Sequence, residues 1–238
     1  MTAGGLPIAG FQPTSLIDYP DRVAAVLFTA GCNLRCPFCH NPDLVLPESV
    51  AGLTLFDIED VLRRLEERVG FLDGVVITGG EPTLHPSLGV FLGRLKALGL
   101  LVKLDTNGTD PDALGRLLDV GLVDFVAMDV KASRASYDRL AGTAVDLEAI
   151  GCSIKTIRER VPEHEFRTTV APTLDAGEIL AIADWIGTAK HYVLQRFRVP
   201  DAGLVDSTWG EREALPAGEL REIWDRISGR FDGGGVRG

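Results

Sequence analysis

Three thiols are the most chemically potent residues of this chain. Cys32, Cys36 and Cys39 lie in the stretch 31–42, GCNLRCPFCHNP, and account for three of the four cysteines. Their spacing is C-x3-C-x2-C. Thiolates are soft ligands, suited to zinc, copper(I) and iron–sulfur clusters. Structural zinc sites close with four ligands, and a [4Fe–4S] cluster usually takes four thiolates. Three thiolates leave one iron without a protein ligand. Catalytic metal sites use such an open position to bind substrate. Cys152 is the one remaining thiol. It falls in a helical pattern among apolar residues, where a free cysteine ordinarily belongs to the core. His40 is the alternative fourth ligand, for zinc, although adjacent residues rarely reach one ion together.

Further polar groups fall where strand patterns end. Thr78-Gly79-Gly80-Glu81-Pro82 sets two glycines, which permit close backbone approach to a ligand, before a carboxylate. An ordinary turn uses the same dipeptides. Asp105-Thr106-Asn107-Gly108 offers oxygens from Asp105 and Thr106, while Asn107 either shapes the Asn-Gly turn or faces a ligand. Met128-Asp129-Val130-Lys131 puts opposite charges on one face at period two. Buried charges need partners, here either each other or a ligand. Arg167 is a lone cation in the run FRTTV at 166–170; an inner face, an outer face and a helix cap are equally open to it. Gln195 shares a face with Phe197, opposite Arg196 and Arg198. Asp18 and Tyr19 precede the first strand, as a turn and cap or as the lining of an entrance.

The elements that must position these groups alternate along the chain. Short apolar, β-branched runs predict strands over 23–29, 74–78, 100–104, 124–129, 166–170 and 191–196. Most are apolar on both faces, as in a buried parallel sheet. Between them, apolar residues recur at helical spacing. Thr54 is placed to cap a helix carrying Ile58, Val61, Leu62, Leu65 and Val69. Leu88, Phe91, Leu92, Leu95 and Leu98 form the next stripe, and Pro111 opens another helix. Helices are also predicted over 147–159, 176–188 and 216–228. Six β/α repeats imply right-handed crossovers and helices outside a parallel sheet. The expected fold class is α/β, a partial (β/α)6 barrel, with ligands at the carboxyl ends of the strands. One domain is expected over 1–238, with its core at about 11–198, a C-terminal helix at about 216–228 and a frayed tail at 231–238.

Composition narrows the function classes. Of the 238 residues 45% are apolar, enough for a sizeable core, and the formal net charge is −10. That balance argues against nucleic acid as a partner, because phosphate contacts need clustered Lys and Arg. No apolar run is long enough to span a bilayer, and residues 1–10 lack a secretory pattern. The expectation is a cytoplasmic protein without membrane contact, in which clustered thiols serve a metal or catalysis rather than disulfides.

Taken together, the motifs resemble those of radical S-adenosylmethionine (SAM) enzymes. GCNLRCPFCHNP is similar to their cluster-binding signature, including aromatic Phe38 before the third cysteine. The resemblance implies a [4Fe–4S] cluster on Cys32, Cys36 and Cys39, whose open iron chelates SAM. It also implies that Gly79, Gly80 and Glu81 meet the methionyl amino group and that Asp105, Thr106 and Asn107 lie beside the SAM carboxylate. Lys131 would bind that carboxylate. Asp129 would bind the ribose or, with Asp105, a monovalent cation. Gln195 and His40 would border the adenosyl pocket, and Arg167 is a further cofactor-binding candidate.

The segment TSLIDYP at 14–20, together with MDVK, FRTTV and YVLQRF, resembles activating proteins of anaerobic ribonucleoside-triphosphate reductase. Asp21 and Ala30 depart from that pattern, where the family often has Gly and Gln. The implied activity is reductive cleavage of SAM to methionine and a 5′-deoxyadenosyl radical, which takes a hydrogen atom from a glycine Cα of the partner. Flavodoxin or ferredoxin would supply the electron, and Asp18 and Tyr19 would line the entrance for the glycine loop. Alternatives are an activase of another glycyl radical enzyme, a radical SAM enzyme acting on a small molecule such as a deazapurine precursor, and a non-catalytic iron–sulfur or zinc regulator.

Overall fold

Eight strands and nine helices organise the described residues, 5–201 and 203–238, of the computed structural model; residues 1–4 of the N-terminal stretch read above lie outside them. The strands are β1 Ile8–Ser15, β2 Ala24–Thr29, β3 Gly74–Gly79, β4 Leu101–Thr106, β5 Phe125–Asp129, β6 His164–Val170, β7 Ala189–Arg196 and β8 Phe231–Arg237. The helices are α1 Pro42–Val45, α2 Pro47–Ala51, α3 Ile58–Glu66, α4 Leu88–Ala97, α5 Pro111–Asp119, α6 Tyr137–Ala141, α7 Leu147–Arg160, α8 Ala176–Ile186 and α9 Ala217–Ile227. Paired strands follow one another in the order of the sequence, β1 to β4 and β6 to β8. All six predicted strands are present, with two more at the ends. No helix among the described residues is long and apolar enough to cross a membrane.

The chain divides into two compact units. The first comprises residues 1–33, 43–106 and 112–126. Here β2, β3 and β4 run parallel, in register from Ala24 through Gly74 to Leu101. Each is buried along most of its length, as its apolar run requires. The added strand β1 pairs antiparallel with β2. Its sequence, IAGFQPTS, hides it: Gly10 and Pro13 read as loop residues, yet proline is tolerated on an edge strand. Helix α3 buries Val61, Leu62 and Leu65. Its cap is not Thr54 but Asp57, whose side chain accepts the Asp60 amide at 3.0 Å. A carboxylate there also complements the helix dipole. Val69 lies beyond the helix and is exposed.

The second unit comprises residues 34–42, 107–111 and 127–238. Parallel strands β6, β7 and β8 form its sheet. Asp146 caps α7 by accepting the amides of Glu148 and Ala149, and the helix buries Ile150, Ser153, Ile154 and Ile157. Cys152 lies off that stripe and is exposed, so its expected place in the core is wrong. Helical phase decides this rather than cysteine's usual preference.

The expected frayed tail is also wrong, because 231–237 is strand β8. Phe231 is buried against Tyr192 at 5.0 Å and stacks on Trp224 at 6.0 Å. At Gly234 a Cβ would fall 1.9 Å from the Tyr192 carbonyl oxygen. The glycine run therefore permits close strand approach, where the sequence suggests disorder.

Candidate functional site

In the first unit the Gly79–Glu81 turn is bound to the backbone that leads into Cys32. The Gly80 amide donates to the Thr29 carbonyl at 2.7 Å, and the Glu81 amide to the Gly31 carbonyl at 2.8 Å. Gly79 has φ +109°, and a Cβ on Gly80 would fall 1.9 Å from the Gly31 oxygen. The two glycines are thus required by a backbone-on-backbone approach just ahead of the first thiol. Cys32 itself is half-buried.

Glu81 is only 1% exposed. Its Oε1 accepts the Thr83 amide at 3.1 Å, the Thr83 hydroxyl at 2.6 Å and the Thr106 hydroxyl at 2.8 Å. One carboxylate oxygen therefore ties the end of β3 to the end of β4. Asp105 pairs with Lys103, a buried cation inside the apolar run LVKLDT. Thr83 and Lys103 were not singled out from the sequence, although a lysine within a strand core is a visible anomaly.

Asp18 and Tyr19 do not join these motifs. Tyr19 is 5% exposed and packs edge-on against Phe125, the first residue of β5. Its ring also lies 3.1 Å from where a Cβ on Gly74, the first residue of β3, would stand. Asp18 accepts a hydrogen bond from Ser15. Tyr19 therefore sits by the amino ends of β3 and β5. The turn is closed by Ser15, whose Oγ accepts the amides of Ile17 and Asp18, each at 3.2 Å, so Asp18 is not its cap.

In the second unit Cys36 is buried and Cys39 half-buried, and the Cys39 amide donates to the Cys36 carbonyl at 3.0 Å. Phe38 packs on Trp209 with ring centroids 5.8 Å apart. His40 is exposed, with its ring centroid 6.2 Å from that of Phe197. Partial burial of the ring lowers its pKa, and Lys131 lowers it further.

Asp129 is the hub of this unit. Arg167 Nε donates to its Oδ1 at 2.8 Å and Lys131 Nζ to its Oδ2 at 3.0 Å. Burial alone would raise the Asp129 pKa, but the two cations outweigh it and hold the carboxyl well below the usual range. For Lys131 burial alone would lower the pKa. Asp129 opposes this first, then the negative potential of Cys36 and Cys39, so the ammonium is held charged well above its usual range. Arg167 thus faces Asp129, which resolves the three placements the sequence left open. Gln195 is half-buried, and its Oε1 accepts the Thr169 hydroxyl at 3.3 Å. Asn107 is buried, and its Oδ1 accepts both the amide and the hydroxyl of Thr109 at 3.0 and 2.7 Å, the local bonding of a loop-shaping residue.

None of the four cysteines is in a disulfide. Among the described residues no three His, Cys, Asp or Glu side chains stand as a ready-made metal-holding group. The thiols' fitness as ligands therefore lies in donor chemistry and loop spacing. Soft sulfur donors beside a fixed ammonium suit an anionic iron–sulfur cluster better than a hard cation.

A family model for the Radical SAM superfamily matches residues 26–186. A protein of Methanocaldococcus jannaschii named as a glycyl-radical enzyme activating enzyme is 35% identical over 222 residues, covering 91% of this chain and 89% of that one. Pyruvate formate-lyase-activating enzyme of Clostridium pasteurianum is 31% identical over 129 residues, 52% of each chain. The chain thus spans nearly the whole of the first relative and about half of the second. Among solved structures, Streptococcus suis SuiB bound to S-adenosylmethionine has a TM-score of 0.66 at 14% identity, covering 90% of this chain and 52% of that one. That likeness is one of fold, and the α/β architecture expected for the radical SAM type holds.

Proposed function

The chain belongs to the radical SAM superfamily, and from that premise we propose that it activates a glycyl radical enzyme, anaerobic ribonucleoside-triphosphate reductase. The observation that carries this reading is the setting of Lys131. A half-buried ammonium, anchored by Asp129, stands in the electrostatic reach of both Cys36 and Cys39. A fixed cation beside thiol ligands is suited to the carboxylate of an amino-acid-like substrate bound at the metal.

When bound, a [4Fe–4S] cluster on Cys32, Cys36 and Cys39 supplies, with SAM and an electron from flavodoxin or ferredoxin, a 5′-deoxyadenosyl radical able to take hydrogen from a glycine Cα. The chain's own residues bind and orient. Lys131 holds the substrate carboxylate, and Arg167 keeps Asp129 aligned with Lys131. Gly79 and Gly80 present backbone to the amino group. The Oε1 hydrogen bonds of Glu81 assign that side chain first to holding the turn. His40 and Phe197 offer an aromatic and apolar wall for adenine, with Gln195 as a polar contact. Asp129 and Asp105 are the candidates for a monovalent cation. The reductase as partner is supported by TSLIDYP, MDVK and YVLQRF, and activation as the reaction class by the near full-length relative.

Anaerobic reconstitution tests the reading. Four irons per chain, 5′-deoxyadenosine on reduction with SAM, and a glycine-centred doublet in electron paramagnetic resonance (EPR) with the reductase are expected. Cleavage of SAM without a doublet on any candidate glycyl protein would assign the chain to a small-molecule substrate. A colourless protein with one zinc would end the catalytic reading.

A further inference from the structure

Gly142 follows α6, a five-residue helix, and has φ +68° and ψ +14°, the left-handed conformation of a C-terminal cap. Asn as well as Gly serves that conformation. A second constraint is stricter. A Cβ at this position would fall 2.0 Å from the carbonyl oxygen of Arg35. Arg35 directly precedes Cys36, and its amide donates to the Ala141 carbonyl at 2.8 Å. The end of α6 is thus a seat on which the cysteine loop rests, and any side chain at 142 must displace that loop.

The opposite end of the same segment begins at Lys131. The Lys131 amide reaches the Tyr137 hydroxyl oxygen at 3.5 Å, and Tyr137 is 1% exposed with its ring edge-on to Trp185. Glu178 on α8 pins the middle: its Oε2 accepts the Ser136 hydroxyl at 2.7 Å and the Ser133 amide at 3.3 Å. One short segment, 131–142, therefore carries the cation at its start, the seat of the cysteine loop at its end and a fixed point between them.

We propose that Gly142 is a positioning residue for the cysteine loop, and that segment 131–142, pinned by Glu178, sets where Cys36 stands relative to Lys131. The inference rests on the proposed ligand role of Cys36. It separates two demands on residue 142: the helix cap tolerates Asn, whereas the seat tolerates glycine alone.

The test compares Gly142→Asn, Glu178→Gln and Cys36→Ala with the parent after anaerobic reconstitution. Iron per chain, the EPR g values of the reduced cluster and SAM affinity are measured, with circular dichroism reporting folding. Gly142→Asn is expected to retain iron about ten-fold less well, as for other residues that orient metal ligands, or to hold it with shifted g values. Glu178→Gln adds no bulk and is expected to keep its iron while binding SAM about three-fold more weakly, a loss of half a decade in affinity. Parental iron content and g values in a folded Gly142→Asn overturn the seat. Should Gly142→Asn not fold, Glu178→Gln decides alone, and parental SAM affinity there overturns the proposal. Full iron in Cys36→Ala would instead discredit the ligand assignment beneath it.

Discussion

Arg167 Nε lies 2.8 Å from Asp129 Oδ1, leaving Oδ2 to Lys131. A half-buried carboxylate is thereby shared by two cations on one side of the second unit. Replacing Arg167 with Met removes the stronger-placed donor and leaves Lys131 to balance the charge alone. A loss of about 1–3 kcal/mol is expected, measured by urea unfolding. An unchanged midpoint would show the pair to be energetically idle.

The same carboxylate predicts an acid dependence. Its folded-state pKa is depressed. The stabilisation is therefore complete above the unfolded value, about 3.9, and is lost as pH falls below it towards the folded value. Asp129→Asn should flatten the stability profile below about pH 4. Equal acid sensitivity of parent and variant would place the titration elsewhere.

Glu81 supplies a different prediction, because a single oxygen serves three donors. Glu81→Ala strands those donors and should cost about 2–4 kcal/mol. Glu81→Gln keeps an acceptor at Oε1 and should lose less than half of that. If the two variants unfold at the same denaturant concentration, the hydrogen bonds contribute little.

At Gly80 the constraint is steric. An added methyl meets the Gly31 oxygen at 1.9 Å, inside backbone that cannot rotate away. Gly80→Ala should lower the melting temperature by about 10 °C or more, the scale of several kcal/mol in a chain of this size. A crystal structure of a stable Gly80→Ala with the turn unmoved would contradict the close packing described.

Two positions of the second unit, Phe231 and Cys152, differ in expected sensitivity. Phe231→Ala empties the ring cluster of Tyr192, Trp224 and Phe231 and should cost about 3 kcal/mol. Cys152→Ser changes an exposed helix position and should stay within about 0.5 kcal/mol, with unaltered iron content. Calorimetry of both, with iron analysis of the second, checks the contrast. A sensitive Cys152 or an indifferent Phe231 would reverse the assignment of core and surface here.

What the sequence determined by itself was local in origin. Apolar runs such as AAVLFT and FVAMD place strands because a doubly covered strand must be apolar on both faces. The cysteine spacing, GGE, DTNG and MDVK are likewise contiguous, so residue type and order suffice to locate them. Tertiary structure decided whatever depended on partners distant in the chain. Glu81 is committed to Thr106, and Arg167 to Asp129, across separations that no local pattern encodes. Tyr19 is buried because Phe125 folds against it, and Cys152 is exposed because the phase of α7 turns it outward. The glycines of β8 and Gly142 carry their meaning only through the atoms that approach them. A glycine in sequence signals permission for unusual backbone, while the neighbour that requires its missing side chain exists only in the folded chain.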